Sequence, residues 1–283
     1  MATRSPQGRK KQAAPKPKVK KASKPSLQAR SVEERTSTVL ERGDLLFFYR
    51  PDVDETSPEG LLDVRRFHLV LRPEGKDILR LITVGRKQLP EAAEEGRSYW
   101  AFVERVFHSP DELRDTLDGA RYETETLGER QLPRARPVGE GIYALARHGR
   151  STVLAYALDL PKEMGEVQHA FHVEREGQFV ISVKNPAADS PSGSGLEDSR
   201  RADFPEELLE RFGDRRWTPA EPPEFLDYEG AELVLIGGRE ASDDLDMELD
   251  PHEDARAHAA LLKALHLEKS DRTNRPLYEG VWE

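Results

Sequence analysis

Short apolar runs separated by turn residues dominate the chain between residues 43 and 238. Residues 45–49 and 67–71 form the first two runs, and residues 78–84 form a third across a turn that contains Gly75. Apolar runs of about four to eight residues bounded by glycine and proline are typical of buried strands. The short connection between the second and third runs predicts a β-hairpin.

The second half of this region repeats the pattern. Residues 141–147 and 153–158 flank a turn at Gly149, and further apolar runs occupy residues 179–183 and 233–236. Residues 99–107 also read as a strand. Because the connections are short, the pattern favours strands that pair antiparallel.

Two helix starts stand out between these strands. Ser109 to Glu112 is a capping box with proline at the first helical position, and Pro205 to Leu208 resembles its first turn ninety-five positions later. Residues 81–84 similarly match residues 180–183, and residues 140–143 match residues 229–232. The same order of three similar segments suggests an internal duplication. Common helix-start and strand preferences could also produce it by convergence.

The expected fold is therefore α+β. Mostly antiparallel sheets would come from two similar internal units, about residues 43–140 and 141–238, each with one principal helix. A C-terminal helix follows, with Leu261 and Leu265 on a narrow apolar stripe. This stripe and the apolar residues of the terminal peptide predict docking of the C-terminal segment on the core or on another copy of the chain.

Composition divides the 283-residue chain into three parts. Residues 1–38 are expected to form a disordered basic tail, residues 39–240 the α+β core, and residues 241–283 an acidic linker, the amphipathic helix and an apolar C-terminal peptide. Residues 1–30 carry ten Lys or Arg and no acidic residue, whereas the rest of the chain has a net charge of −20. The absence of cysteine excludes disulfides and fits a cytoplasmic protein. No apolar run is long enough to span a membrane.

The tail predicts non-specific contact with the phosphate backbone of DNA or RNA. The residues expected to make this contact are Arg9, Lys10, Lys11, Lys16, Lys18, Lys20, Lys21 and Lys24. A solubilising extension, an intramolecular partner for the acidic core and a ligand for an anionic membrane surface are the alternatives.

The sequence contains no catalytic signature, and it predicts no catalytic residue, metal site or cofactor. Basic and polar residues do follow two similar strands, at Arg86 and Lys87 and at Lys184 and Asn185. If the two units pack together, these four side chains would be candidate ligands for an anion at their interface. Solvated strand ends are the alternative interpretation.

Three segments resemble an uncharacterised bacterial protein family: Gly43 to Pro51, Ser182 to Pro186, and Arg215 to Gly237. The resemblance covers about residues 43–238 and excludes both ends of the chain. It implies a bacterial cytoplasmic setting, and it implies no activity, ligand or functional residue.

Two classes of function follow. The first is a non-enzymatic binding or adaptor protein whose polycationic tail contacts nucleic-acid phosphates; association with another copy of the chain through the C-terminal segment is possible as well. The alternative is an enzyme or small-molecule sensor that binds an anionic ligand between the two units.

Overall fold

A computed structural model describes residue 1 and residues 37–91, 97–126, 128–190, 195–237, 249–250 and 255–282. The strands are β1 (Thr38–Pro51), β2 (Val64–Pro73), β3 (Leu79–Val84), β4 (Ser98–Phe107), β5 (Ala120–Thr124), β6 (Gly128–Leu132), β7 (Arg136–His148), β8 (Ser151–Leu160), β9 (Glu176–Lys184), β10 (Trp217–Pro219) and β11 (Glu232–Gly237). The α-helices are α1 (Pro110–Leu117), α2 (Glu166–Ala170), α3 (Glu206–Leu209), α4 (Ala255–Ala264) and α5 (Arg275–Glu279). These elements belong to one compact unit of residues 34–283.

Eight of the strands close into an antiparallel β-barrel. Their order is β8, β9, β11, β4, β3, β2, β1 and β7, and β7 pairs with β8 to complete the circle. Strand β10 adds to β9 outside the closed ring, and β5 and β6 form a separate hairpin. Closure pairs every barrel strand on both sides, which removes the exposed edges of an open sheet.

The run at residues 45–49 is apolar throughout because both faces of β1 are buried. Leu45, Phe47 and Tyr49 belong to the large cluster inside the barrel, whereas Leu46 and Phe48 belong to a second cluster on its outer wall. Alternate residues of a strand point to opposite faces. Two separate cores therefore use the same strand.

The two ends of the barrel are closed differently. At one end Phe171, which follows α2, stacks on Phe67 with ring centroids 4.8 Å apart. At the other end the fully buried Arg80 donates to both carboxylate oxygens of Glu41, at 2.5 and 2.9 Å, and to Asp227 at 2.7 Å. This paired charge is satisfied within the fold.

The predicted α+β fold of two similar units, each with one principal helix, is wrong. The two proposed halves interleave, because β1 pairs with β7 and β4 pairs with β11. Their helices also differ: α1 has eight residues and packs in the outer cluster, whereas α3 has four and Leu208 joins the inner cluster. Local sequence identified the strands but not their partners, since pairing across such separations depends on barrel closure.

Several predictions about individual elements are confirmed. The expected hairpins at β2–β3 and β7–β8 form, and every strand pair among the described residues is antiparallel. At the start of α1, the Ser109 hydroxyl accepts a hydrogen bond from the Glu112 amide at 3.4 Å. The C-terminal segment docks on the barrel, where Leu265 is buried in the outer cluster and Trp282 lies 5.4 Å from the Tyr49 ring.

Within the described ranges, none of the helices has the length and apolar character needed to cross a membrane.

Candidate functional site

A cavity of about 350 Å³ lies on the outer wall of the barrel, beneath the β5–β6 hairpin and the end of α1. Strands β1 to β4 form its floor. Its lining residues are Arg50, Arg65, Arg66, His68, Leu81, Glu104, Thr116, Leu117, Tyr122 and Leu132. Its volume is near the lower end of the range of small-molecule sites, about 300 to 1,000 Å³.

Two features of the strands bring a histidine, a threonine and a carboxylate together. In the β2–β3 hairpin, His68 is directly opposite Thr83. The β3–β4 register shifts between Leu81, which faces Arg105, and Ile82, which faces Val103. Glu104 is thus the extra residue of a β-bulge, a distortion that redirects a side chain. The bulge places the Glu104 carboxylate beside Thr83 on the outer wall.

Hydrogen bonds connect the three groups in a line. The Thr83 hydroxyl donates to Glu104 Oε2 in a short contact, and His68 Nδ1 lies 2.9 Å from Thr83 Oγ1. A hydroxyl has one proton, and here it is given to the carboxylate. His68 Nδ1 must therefore carry the proton donated to Thr83, which leaves Nε2 as the ring nitrogen with a free lone pair.

The surroundings keep His68 neutral at physiological pH. Burial, together with the positive charges of Arg50 and Arg66, lowers the pKa of His68 to about 4 despite the opposing charge of Glu104. Burial acts in the opposite direction on Glu104, but the Thr83 hydrogen bond and the nearby positive charges hold the pKa of Glu104 below its usual value. The line thus consists of a carboxylate, a hydroxyl and a neutral imidazole.

The three arginines have different roles. Arg50 donates to the carbonyl oxygens of Pro133 at 2.6 Å and Thr116 at 2.7 Å, and so attaches the covering segments to the barrel. Burial lowers the pKa of Arg50 to about 10, which leaves it charged at neutral pH. Arg66 pairs with Glu104, and Arg65 is exposed at the cavity.

Three arginines against one carboxylate give the cavity wall a positive charge. An anionic group of a ligand would be attracted to Arg65 and Arg66, and a hydroxyl or amine of the same ligand could donate to His68 Nε2. This arrangement can select a small molecule that has both features.

The four predicted anion ligands do not converge. Lys184 is fully buried and pairs with Glu232 at 3.0 Å, while Lys87 donates to the Val64 carbonyl. The Asn185 amide is held by the Arg215 carbonyl at 3.4 Å. Arg86 lines a second cleft, of about 560 Å³. Since the two predicted units interleave, the interface that was expected between them does not form, and Lys184 reaches the cleft of Arg86 only through its partner Glu232.

The tail residues predicted to contact phosphates, Arg9, Lys10, Lys11, Lys16, Lys18, Lys20, Lys21 and Lys24, lie outside the described residues. Their part in binding stays a prediction.

Sequence reasoning did not find His68, Thr83 or Glu104. One signal was present, because His68 interrupts the apolar run of β2 and a polar residue there requires a buried partner. The partner itself was not visible, since it depends on the hairpin register and on a bulge in a third strand.

Comparison of this chain with models of protein families, with curated proteins and with solved structures found no match.

Proposed function

We propose that this protein binds a small anionic molecule in the cavity beneath the β5–β6 hairpin. The observation that carries the proposal is the line from Glu104 through Thr83 to His68, which presents a neutral hydrogen-bond acceptor at a cavity lined by three arginines. Perturbed ionisable groups in a cavity are a physical indicator of a functional site.

The chemistry of the wall defines the ligand class. A carboxylate or phosphate would pair with Arg65 and Arg66, and a hydroxyl or amine close to it would donate to His68 Nε2. The volume of about 350 Å³ suits a compact molecule of this kind rather than a large cofactor. Small hydroxy acids and phosphorylated polyols have both features.

Binding is favoured over catalysis by the state of His68. A general base is most effective when its pKa is near the working pH. Burial lowers the pKa of His68 to about 4, so the ring is a dependable acceptor at neutral pH but a weak base. We therefore assign the site to recognition, in a binding protein or a sensor.

Isothermal titration calorimetry with L-malate and succinate tests this assignment. The two probes share their carboxylates, but only malate has a hydroxyl that can donate to His68. We expect millimolar or tighter binding of malate and about fivefold weaker binding of succinate, because one hydrogen bond contributes about 1 kcal/mol.

Two substitutions locate the binding. His68→Phe removes the hydrogen-bond acceptor while keeping a ring of similar size, and it should abolish the preference for malate. Arg65→Ala should lower the affinity for both probes about tenfold. Matched controls are His169→Gln and Arg150→Ala, which alter exposed residues outside the cavity and should leave both affinities unchanged. Failure of both probes to bind, or malate preference that survives in His68→Phe, would contradict the proposal.

Polyanion binding is the second candidate, and the charge of +10 in residues 1–30 favours it. In this role the tail contacts the phosphates of DNA or RNA without reading sequence, as in an adaptor protein. The cysteine-free composition supports a cytoplasmic setting. Self-association through the C-terminal segment is not included, because Leu265 and Leu277 are buried within this chain.

A further inference from the structure

A second cleft, of about 560 Å³, lies on the outer wall of the barrel between β4 and residues 195–196. Trp100 and Phe102 line it from alternate positions of β4, so both side chains project from the same face of the strand. Both are only partly buried. Trp217, on β10, packs against Trp100 in a T-shaped arrangement with ring centroids 5.2 Å apart. The cleft thus presents large aromatic side chains that the barrel core does not enclose.

Two arginines accompany these rings. The Arg86 guanidinium lies 5.3 Å from the ring centroid of Tyr99, and that of Arg200 lies 5.8 Å from the ring centroid of Phe102. Neither arginine forms an ion pair with another residue in the described ranges. Both charges are therefore available to an anion. The Phe102 contact places Arg200 beside the cleft, whereas Arg86 lines the cleft itself and contacts Tyr99, a residue of the inner cluster.

Among the described residues that line the cleft, Glu232 is the one carboxylate, and its charge is already paired. Glu232 pairs with the fully buried Lys184 at 3.0 Å and with Arg201 at 3.7 Å. Arg86 and Arg200 thus contribute positive charge at the cleft, although the acidic residues Glu197 and Asp198 are also exposed in the adjoining segment. A ligand with both an aromatic plane and a negative charge fits the combination.

We propose that this cleft binds single-stranded nucleic acid, with a base stacked on Trp100 and neighbouring phosphates paired with Arg86 and Arg200. Aromatic side chains beside cationic groups are the general means by which proteins hold single strands without reading sequence. The basic tail of the same chain is complementary to a polyanion rather than to a single small anion. It has no aromatic residue with which to stack, and the cleft provides several.

A duplex does not satisfy the same site. Its bases are stacked on one another and are exposed only at their edges, so Trp100 could reach one only after unstacking it. Stacking in the cleft therefore distinguishes single strands from duplexes, whereas contacts from the tail do not. This proposal is independent of the small-anion site at His68.

Fluorescence anisotropy with the full chain and a labelled oligothymidylate of about fifteen nucleotides tests the proposal. Trp100→Ala should weaken binding about tenfold, and Arg86→Ala and Arg200→Ala should weaken it severalfold and reduce its dependence on salt. The controls are Leu62→Ala, at a residue that is 92 % exposed, and Arg150→Ala, in an exposed turn. Both should leave the affinity unchanged.

A duplex of the same length should bind Trp100→Ala and the unaltered protein equally. Circular dichroism checks that Trp100→Ala is folded. If this variant is unfolded, Arg86→Ala and Arg200→Ala test the proposal instead, because they leave the aromatic rings in place. Three outcomes would overturn the proposal: unchanged single-strand affinity in the folded variants, equal losses for single strand and duplex, or competition by free thymidine monophosphate as strong as by the oligomer. Calorimetry of malate binding to Trp100→Ala tests the small-anion site at His68 separately, because that site lies in a different cavity.

Discussion

The His258 imidazole lies between two carboxylates on the outer wall of the barrel. Its ring nitrogens are 3.1 Å from Asp44 and 3.2 Å from Glu140, and all three side chains are buried. Arg72 pairs with Asp44 from the other side at 2.8 Å. This cluster attaches α4 to β1 and β7, so its protonation affects how firmly the C-terminal segment is held.

Glu140 makes the stability of the fold depend on pH. Burial, with Asp159 and Asp44 nearby, raises the pKa of Glu140 from 4.5 to about 7, although His258 acts in the opposite direction. A carboxyl group whose pKa is raised by folding stabilises the protein below its unfolded pKa, and this contribution is lost as the pH rises through the folded pKa. The loss should fall between about pH 4.5 and 8.

We therefore predict that Glu140→Gln reduces the pH dependence of the free energy of unfolding. Urea denaturation at pH 5 and pH 8 should show a difference in unfolding free energy about 2 to 3 kcal/mol smaller in the variant than in the unaltered protein, because glutamine does not titrate. An unaltered difference would mean that His258 keeps Glu140 ionised across this range.

At the scale of the element, α4 covers the outward face of β1. Leu261 of α4 and Leu265, which directly follows the helix, pack in the same outer cluster as Leu46 and Phe48 of the strand. A helix of this length is marginal in isolation, so its stability comes from the packing of its apolar stripe. The same packing buries strand residues that would otherwise be exposed.

Leu265→Ala should consequently destabilise the protein by about 2 to 4 kcal/mol, the usual cost of a large-to-small change at a buried site. Chemical denaturation measures this directly. Lys263→Ala changes an exposed residue of α4, two positions before Leu265, and should have an effect within about 0.5 kcal/mol. If the two variants were equally stable, α4 would not be docked in solution.

At the scale of the whole molecule, a tail with a charge of +10 is joined to a remainder with a charge of −20. Phosphate contacts from such a tail weaken steeply with salt, because binding releases counterions from the nucleic acid. The net negative charge of the remainder would oppose nucleic-acid binding, so the proposed contacts are confined to the tail and to Arg86 and Arg200.

Deletion of residues 1–30 should abolish the low-salt binding of duplex DNA and leave the barrel folded. A gel-shift titration measures the binding, and circular dichroism checks the fold. Duplex binding that persists after the deletion, or that is absent from the intact chain, would rule out the tail as a nucleic-acid contact.

The sequence predicted some features of this protein and not others. Local sequence predicted the strands, the cap of α1 at Ser109 and the contrast between the basic tail and the acidic remainder. Each of these depends on neighbouring residues or on spacing within one element. The docking of the C-terminal segment could also be predicted, because large apolar residues such as Leu265 and Trp282 are usually buried.

The closure of the barrel and the positions of its candidate sites became known only from the tertiary structure. The β1–β7 and β4–β11 pairings join distant segments, and many pairings satisfy the same apolar pattern until closure selects one of them. The line from His68 through Thr83 to Glu104 requires three strands in fixed register and one extra residue in β4. A short sequence pattern records none of this, because the relative positions of side chains on different strands are set by backbone pairing and not by their spacing along the chain.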